Sequence, residues 1–94
     1  MLQLKFSKSA RETLNNISLF IDGANTFGAG SKWKDRFIKS IEKYAHPIQY
    51  PLCRHTFLAA KGFSCISVGN WVIVFNIKDN TFYVNKIILG SLLY

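Results

Sequence analysis

The chain opens with a short stretch in which apolar and polar side chains alternate. Leu2, Leu4 and Phe6 are separated by Gln3 and Lys5. This alternation is typical of a strand with one buried face. The sequence therefore predicts a short strand at the N-terminus.

A helix is predicted directly after this strand. Ser7 or Ser9 can cap its first turn, and Ser9 followed by Glu12 has the form of a capping box. Apolar residues then recur at steps of three and four, which places them on one helix face: Ala10, Leu14, Ile17, Ile21 and Ala24. Glycines at positions 23, 28 and 30 interrupt this pattern, so we expect the helix to end there in a turn.

A second helix is predicted from about Ser31 until Pro47 ends it. One side of this helix is apolar and the opposite side is largely charged. The apolar side consists of Trp33, Phe37, Ile38, Ile41, Tyr44 and Ala45. Two helices that follow one another closely, each with one apolar face, are expected to form a hairpin that packs on another element.

From Pro51 onward the pattern changes to short apolar-rich segments with turn residues between them. The predicted strands are Thr56–Ala60, Phe63–Val68, Trp71–Ile77 and Thr81–Leu89. Short turns join antiparallel neighbours. The predicted fold is therefore α+β, with an N-terminal strand and a two-helix hairpin packed on a four- to five-stranded antiparallel sheet.

One of these segments, Trp71–Phe75, is apolar at every position. A strand with this composition is buried on both of its faces. We expect the helical hairpin to cover one face of the sheet, which makes the second face a candidate surface for a partner.

Length and composition predict one folded domain over residues 1–94. The chain is 49% hydrophobic and 15% aromatic, which is far from the composition of a disordered segment. Its longest apolar run is residues 71–75, whereas a membrane-spanning helix needs about 20 apolar residues. The first residues also lack the apolar core of a signal peptide. We therefore expect no membrane association and a cytoplasmic location.

The chain is strongly basic. Twelve Lys and Arg against five Asp and Glu give a net charge of +7, and the excess is spread over both halves of the sequence. This charge favours association with a polyanion or with an acidic protein. Arg54, Lys61, Lys86 and Trp71 are the candidate contact residues, because they lie on or beside the predicted sheet and suit phosphates or an acidic peptide. Ordinary solvated charge is the alternative for each of the cations.

The two cysteines and two histidines predict neither a metal site nor a cofactor. Cys53 and Cys65 could form a disulfide, but a cytoplasmic compartment keeps thiols reduced, so we expect free, buried thiols. His46 and His55 add two more metal-binding side chains, yet the four residues lack the closely paired spacing of structural zinc sites. The residues themselves also indicate no catalytic group, since neither histidine has the sequence context of a general base.

Three segments carry a resemblance to a known family: Phe6–Ala10 at the strand-to-helix junction, Gly69–Ile77, and Lys86–Ser91 near the end. They resemble the RelE/ParE superfamily, the toxins of bacterial type II toxin-antitoxin pairs. The resemblance extends over almost the whole chain in element order, size and basic charge. It implies a helical hairpin on a sheet, a cognate acidic antitoxin encoded alongside, and inhibition of growth.

The resemblance implies one of two targets. RelE-like members cleave messenger RNA on the ribosome, whereas ParE-like members poison DNA gyrase and need no nuclease site. The nuclease branch has arginines at the positions of Val72 and Leu92, and cations of this kind stabilise phosphate charge in the transition state. Val and Leu cannot do so, and the run Trp71–Phe75 also looks closer to the ParE branch, so a toxin that acts by binding is favoured.

Two alternatives remain at this point. One is a RelE-like ribonuclease with a relocated site, and the other is a binding module that keeps the toxin fold without toxicity. Tyr94 lies at an offset from Gly90 that does not match the terminal aromatic residue of the nuclease members, so no role is assigned to it.

Overall fold

The computed structural model describes residues 2–25, 28–48 and 50–93, with the backbone alone for residues 92 and 93. The elements follow in the order β1 (Gln3–Phe6), α1 (Lys8–Ala24), α2 (Ala29–Glu42), α3 (Thr56–Ala60), β2 (Ser64–Val68), β3 (Trp71–Lys78), β4 (Thr81–Leu89) and α4 (Gly90–Leu93). The architecture is α+β, with a strand, a helical hairpin and then a sheet, as the sequence predicts. Tyr94 lies outside the described residues.

The four strands form one sheet in the order β1-β4-β3-β2. β2, β3 and β4 are antiparallel neighbours, but β1 runs parallel to β4, with Leu4 opposite Phe82. The sheet is therefore mixed, whereas the sequence predicts an antiparallel one. The reason is that β1 pairs with the last strand of the chain rather than with the next one, and a parallel pair needs a long connection between its strands.

The predicted strand Thr56–Ala60 is wrong, because these residues form the short helix α3. Leu58, Ala59 and Ala60 are strong helix formers. Only Leu58 of this helix is fully buried, and the backbone hydrogen bonds are local, with the N–H of Ala59 donating to the carbonyl oxygen of His55 at 2.9 Å. A short apolar run fits either element by periodicity alone.

Ser7 connects the first helix to the sheet. Its hydroxyl oxygen accepts a hydrogen bond from the backbone N–H of Ala10 at 3.0 Å and donates one to the carbonyl oxygen of Asn85 at 2.6 Å. Of the two predicted caps, Ser7 is therefore the one used. Ser9 lies inside the helix, where its carbonyl oxygen accepts a hydrogen bond from the Thr13 hydroxyl.

The second helix begins earlier than predicted because a side chain from α1 caps it. The carboxylate of Asp22 accepts hydrogen bonds from the backbone N–H groups of Gly28 at 3.1 Å and Gly30 at 2.8 Å. A negative charge near the N-terminus of a helix also interacts favourably with the helix dipole. The helix ends at Glu42, before Pro47.

Gly30 is the point of closest approach between the two helices. It is buried, and a Cβ atom added to it would overlap the backbone carbonyl of Ser18 in α1. Because this neighbour is backbone, it cannot rotate away, so even a methyl group would push the helices apart.

Gly30→Ala is expected to lower the free energy of unfolding by about 1–3 kcal/mol, the usual cost of forcing an extra group into a packed interface. Gly23→Ala is the matched control, because Gly23 lies in α1 with nothing within 4 Å of the added methyl group. There we expect unchanged or slightly higher stability. Urea unfolding of both variants measures the difference, and a Gly30→Ala protein as stable as the Gly23→Ala protein would contradict this account.

The sheet has an apolar core on each side, as the composition of β3 predicts. On the side of the helical hairpin, Ile73 and Phe75 pack with residues of α1, α2 and β4, among them Leu14, Ile41 and Phe82. On the opposite side, which we call the outer face, a smaller cluster contains Cys53, Leu58, Val72 and Val74.

Candidate functional site

The outer face of the sheet is divided into a covered part and an open part. Along β3 and β4, Val72 lies opposite Ile88 and Val74 lies opposite Lys86. The valines and Ile88 are packed with Leu58 of α3. Beyond a bulge between Val74 and Phe75, the next residues on the outer face are Asn76 and Tyr83. They do not belong to the apolar cluster beneath α3, so α3 covers only a part of this face.

A disulfide between Cys53 and Cys65 holds the α3 segment on the outer face. The prediction of free thiols is therefore wrong. Cys53 precedes α3 and Cys65 lies in β2, and the backbone N–H of Cys53 donates a hydrogen bond to the carbonyl oxygen of Phe63 at 3.0 Å. The backbone hydrogen bond between Cys53 and Phe63 brings the two cysteines together. The spacing of the cysteines in the sequence does not indicate this contact.

Three of the four predicted contact residues lie on the outer side of the sheet. Arg54 and Lys61 flank α3, and Lys86 lies in β4 beside the apolar cluster. All three are exposed. The Nζ atom of Lys61 lies 4.4 Å from the ring centroid of Phe57, whose side chain is 61% exposed. The α3 segment therefore presents one cation, Lys61, next to an exposed aromatic ring.

The fourth predicted residue, Trp71, lies on the other side of the sheet. It packs against the core beneath the helical hairpin. Together with Trp33 and Arg36 of α2, it lines a cleft of about 480 Å³. The structure therefore does not bring Trp71 together with Arg54, Lys61 and Lys86 in one site.

Val72 is a core residue in this fold. It is 3% exposed and packs beneath α3 with Leu58 and Val74. At its end of the sheet, a cleft of about 460 Å³ is lined by residues from the β2–β3 turn and the start of α4, and none of the described residues lining it is charged. Leu92 lies in α4, and its side chain is outside the described part of the chain.

An apolar cleft of about 570 Å³ lies beside α3, between the segment that follows α2 and the end of β3. Ile48 and Leu52 line it, and each is 56% exposed. Tyr50 also lines it and donates a hydrogen bond from its hydroxyl to the carbonyl oxygen of Tyr44 at 2.7 Å. Burial raises the pKa of the Tyr50 hydroxyl, and the nearby Tyr44 adds to the shift.

Sequence reasoning missed a group of polar residues on the open part of the outer face. Lys5 of β1, Tyr83 of β4 and Asn76 of β3 occupy one row across three strands. The residues come from opposite ends of the chain, so only the pairing of β1 with β4 brings them together. A cleft of about 580 Å³ lies over this group.

Within residues 2–25, 28–48 and 50–93, no cluster of three or more His, Cys, Asp or Glu residues is placed to hold a metal ion. Among the helices of this described part, none has the length and apolar character to cross a bilayer.

Comparison with known proteins does not assign the chain to a family: no protein-family model matches it, and no curated protein matches its sequence.

Proposed function

We propose that this protein is the toxin of a bacterial type II toxin-antitoxin pair, similar to the ParE branch of the RelE/ParE superfamily, and that it inhibits growth by binding DNA gyrase. The proposal is supported by the helical hairpin on a sheet, which is the fold that the family resemblance implies, and by the net charge of +7.

The burial of Val72 is the observation that most favours binding over RNA cleavage. In the nuclease branch this position carries an arginine, which would need an open site and a phosphate to contact. Here the position is filled by an apolar side chain beneath α3, and the adjacent cleft is lined by neutral described residues. A preorganised cation typically contributes about 100- to 1,000-fold to the rate of such chemistry, so little cleavage is expected without it.

The partner we propose is an acidic antitoxin with an amphipathic segment. We call the exposed residues on and around α3 the α3 surface: Arg54, Lys61, Lys86, Phe57 and Leu52. Its three cations can pair with the acidic residues of such a segment, and its two apolar side chains can contact the apolar ones. Apolar anchors surrounded by charges are the usual composition of a protein interface. The charges at the rim are expected to act mainly on the association rate.

Induction of the gene in bacteria tests the toxin assignment. We expect growth arrest, and rescue when the neighbouring short reading frame is expressed with it. Purified protein is then expected to inhibit supercoiling by gyrase and to leave messenger RNA intact on translating ribosomes. Messenger cuts in phase with codons would overturn the binding mechanism in favour of a ribonuclease, and the absence of arrest would overturn the toxin assignment.

Charge reversal on the α3 surface tests the partner. The variant Arg54→Glu with Lys61→Glu is expected to slow association with the antitoxin at least about tenfold at low salt, because steering depends on these charges. Lys32→Glu with Lys39→Glu is the matched control, with the same change in net charge on the exposed side of α2. Equal effects of the two double variants on the association rate would contradict the proposed surface.

A further inference from the structure

The open part of the outer face carries an ordered set of polar side chains, which we call the polar grid. It consists of two rows across the strands β1, β4 and β3: Gln3, Thr81 and Lys78 in one row, and Lys5, Tyr83 and Asn76 in the other. The register of the sheet sets these rows. Since side chains alternate between the faces of a strand, all six project on the same side.

The polar grid has a rigid centre. Asn76 and Tyr83 are partly buried, and the side-chain amide of Asn85 donates a hydrogen bond to Oδ1 of Asn76 at 2.7 Å. The β3–β4 turn next to the grid is tight, with positive φ at Asp79 and Asn80. The Asn76 side chain is therefore held in place, and the cleft of about 580 Å³ above the grid is within the usual size of a ligand site.

The charges of the grid are arranged around the aromatic ring. Lys5 and Lys78 are exposed at opposite corners, and Tyr83 lies between them. From the spacing of strands and residues in a sheet, the two lysine Cα atoms are about 12 Å apart. Asp79 is the one carboxylate that lines the cleft among the described residues. Lys86 lies farther along β4 on the same face, beyond Asn85.

We propose that the polar grid binds single-stranded nucleic acid, with a base on the ring of Tyr83 and the flanking phosphates at Lys5 and Lys78. Two cations at this separation on either side of a flat ring match a ligand that alternates charged groups with aromatic ones. Cationic side chains beside an exposed aromatic platform are the recurring solution for binding single strands. An acidic peptide would use the lysines but would gain nothing specific from the ring.

This site lies at the β3–β4 turn end of the sheet and shares no lining residue with the cleft beside Val72. It adjoins the apolar cleft that Leu52 lines, because Asn76 and Lys78 line both clefts. The inference goes beyond the proposed toxin activity and does not depend on it. Its test therefore uses purified full-length protein and a direct binding measurement, with no readout of growth or of gyrase.

The first experiment measures fluorescence anisotropy of a labelled oligouridylate of about 12 nucleotides at several salt concentrations. Each phosphate contact to a single strand contributes about 0.7 to the slope of log affinity against log salt. The variant Lys5→Gln with Lys78→Gln is therefore expected to reduce this slope by about 1.4 and the affinity by roughly 25-fold near 0.1 M salt. The control Lys32→Gln with Lys39→Gln loses the same charge on the other side of the molecule, and a change below about threefold is expected there.

The second experiment isolates the contribution of the ring. Tyr83→Leu is expected to weaken binding by about 5- to 150-fold, the range found for loss of one stacked base, whereas Tyr83→Phe keeps the ring and is expected to bind within about twofold of the wild type. Amide resonances of Tyr83 and Asn76 are expected to shift on titration of the unmodified protein. This measurement keeps the test valid if the leucine variant does not fold.

Three outcomes would overturn the proposal. Equal losses of oligonucleotide affinity in the two lysine double variants would show that the protein binds through its overall charge and not through the polar grid. Tight binding of an oligoglutamate peptide that depends on Lys5 and Lys78, with no effect of Tyr83→Leu on the oligonucleotide, would identify an acidic peptide site instead. Resonance shifts confined to residues outside the polar grid would place the oligonucleotide elsewhere.

Discussion

Replacement of Phe75 by alanine is expected to lower the free energy of unfolding by about 3–5 kcal/mol, the usual cost for a fully buried phenylalanine. Phe75 is 1% exposed and lies at the centre of the sheet. Its ring stacks on Phe82 with 4.2 Å between centroids and meets Tyr50 edge-on at 5.3 Å. Truncation therefore removes buried apolar area and two aromatic contacts, and it leaves a cavity that the rigid strands cannot close.

The measurement is urea unfolding followed by circular dichroism. Phe57→Ala is the matched control, because Phe57 is 61% exposed on α3; a change within about 0.5 kcal/mol is expected for an exposed substitution of this kind. Similar losses in the two variants would show that Phe75 is not the central core residue that the packing indicates.

Loss of the disulfide between Cys53 and Cys65 is expected to lower the free energy of unfolding by about 3 kcal/mol, through the double variant Cys53→Ser with Cys65→Ser. The two cysteines are 12 residues apart, and closing a loop of this size restricts the unfolded chain by about that amount in the chain-entropy model. The effect is large for a domain of this size, whose whole stability is expected to be about 5–15 kcal/mol.

Reductant supplies the control. The wild-type protein in reductant is expected to unfold at the same urea concentration as the double variant, and reductant is expected to leave the variant unchanged. Thiol titration of the unfolded, unreduced protein should detect no free thiol. Two titratable thiols there would contradict the disulfide and restore the original expectation of free cysteines.

The bridge also matters for the proposed antitoxin surface. Arg54 and Lys61 lie on the segment that the disulfide holds, and Leu58 is the helix residue that anchors this segment on the sheet. In the double variant, we expect these cations to be held less firmly relative to Lys86. A slower association of the wild-type protein with the antitoxin in reductant, with no effect of reductant on the variant Cys53→Ser with Cys65→Ser, would connect the bridge to binding.

Local patterns were sufficient for most of the secondary structure. The alternation in residues 2–6, the helical spacing from Ala10 to Ala24 and the turn residues between Val68 and Thr81 depend on interactions between near neighbours in the chain. β4 has the predicted bounds, and β2 and β3 differ from their predictions by one residue. There are two exceptions. The residues of Thr56–Ala60 are compatible with either element, and their contacts decided between them. The short helix α4 (Gly90–Leu93) was not predicted.

The candidate sites depended on the tertiary structure much more strongly. Sequence reasoning selected Arg54, Lys61, Lys86 and Trp71 because they are cationic or aromatic near the predicted sheet, and the fold separates Trp71 from the others. The face of the sheet on which a side chain lies depends on register, and a shift of one residue would reverse every assignment. The partners of a strand are not encoded in its own pattern of residues.

By itself, the sequence determined that this chain folds as a basic α+β domain with a helical hairpin and a central strand buried on both faces, because hydrophobic periodicity and turn chemistry are local properties. Only the tertiary structure decided that β1 lies parallel to β4, that Cys53 meets Cys65, and that the polar grid forms. Each of these joins residues that are distant or independent in the chain, and their proximity results from closing the whole core.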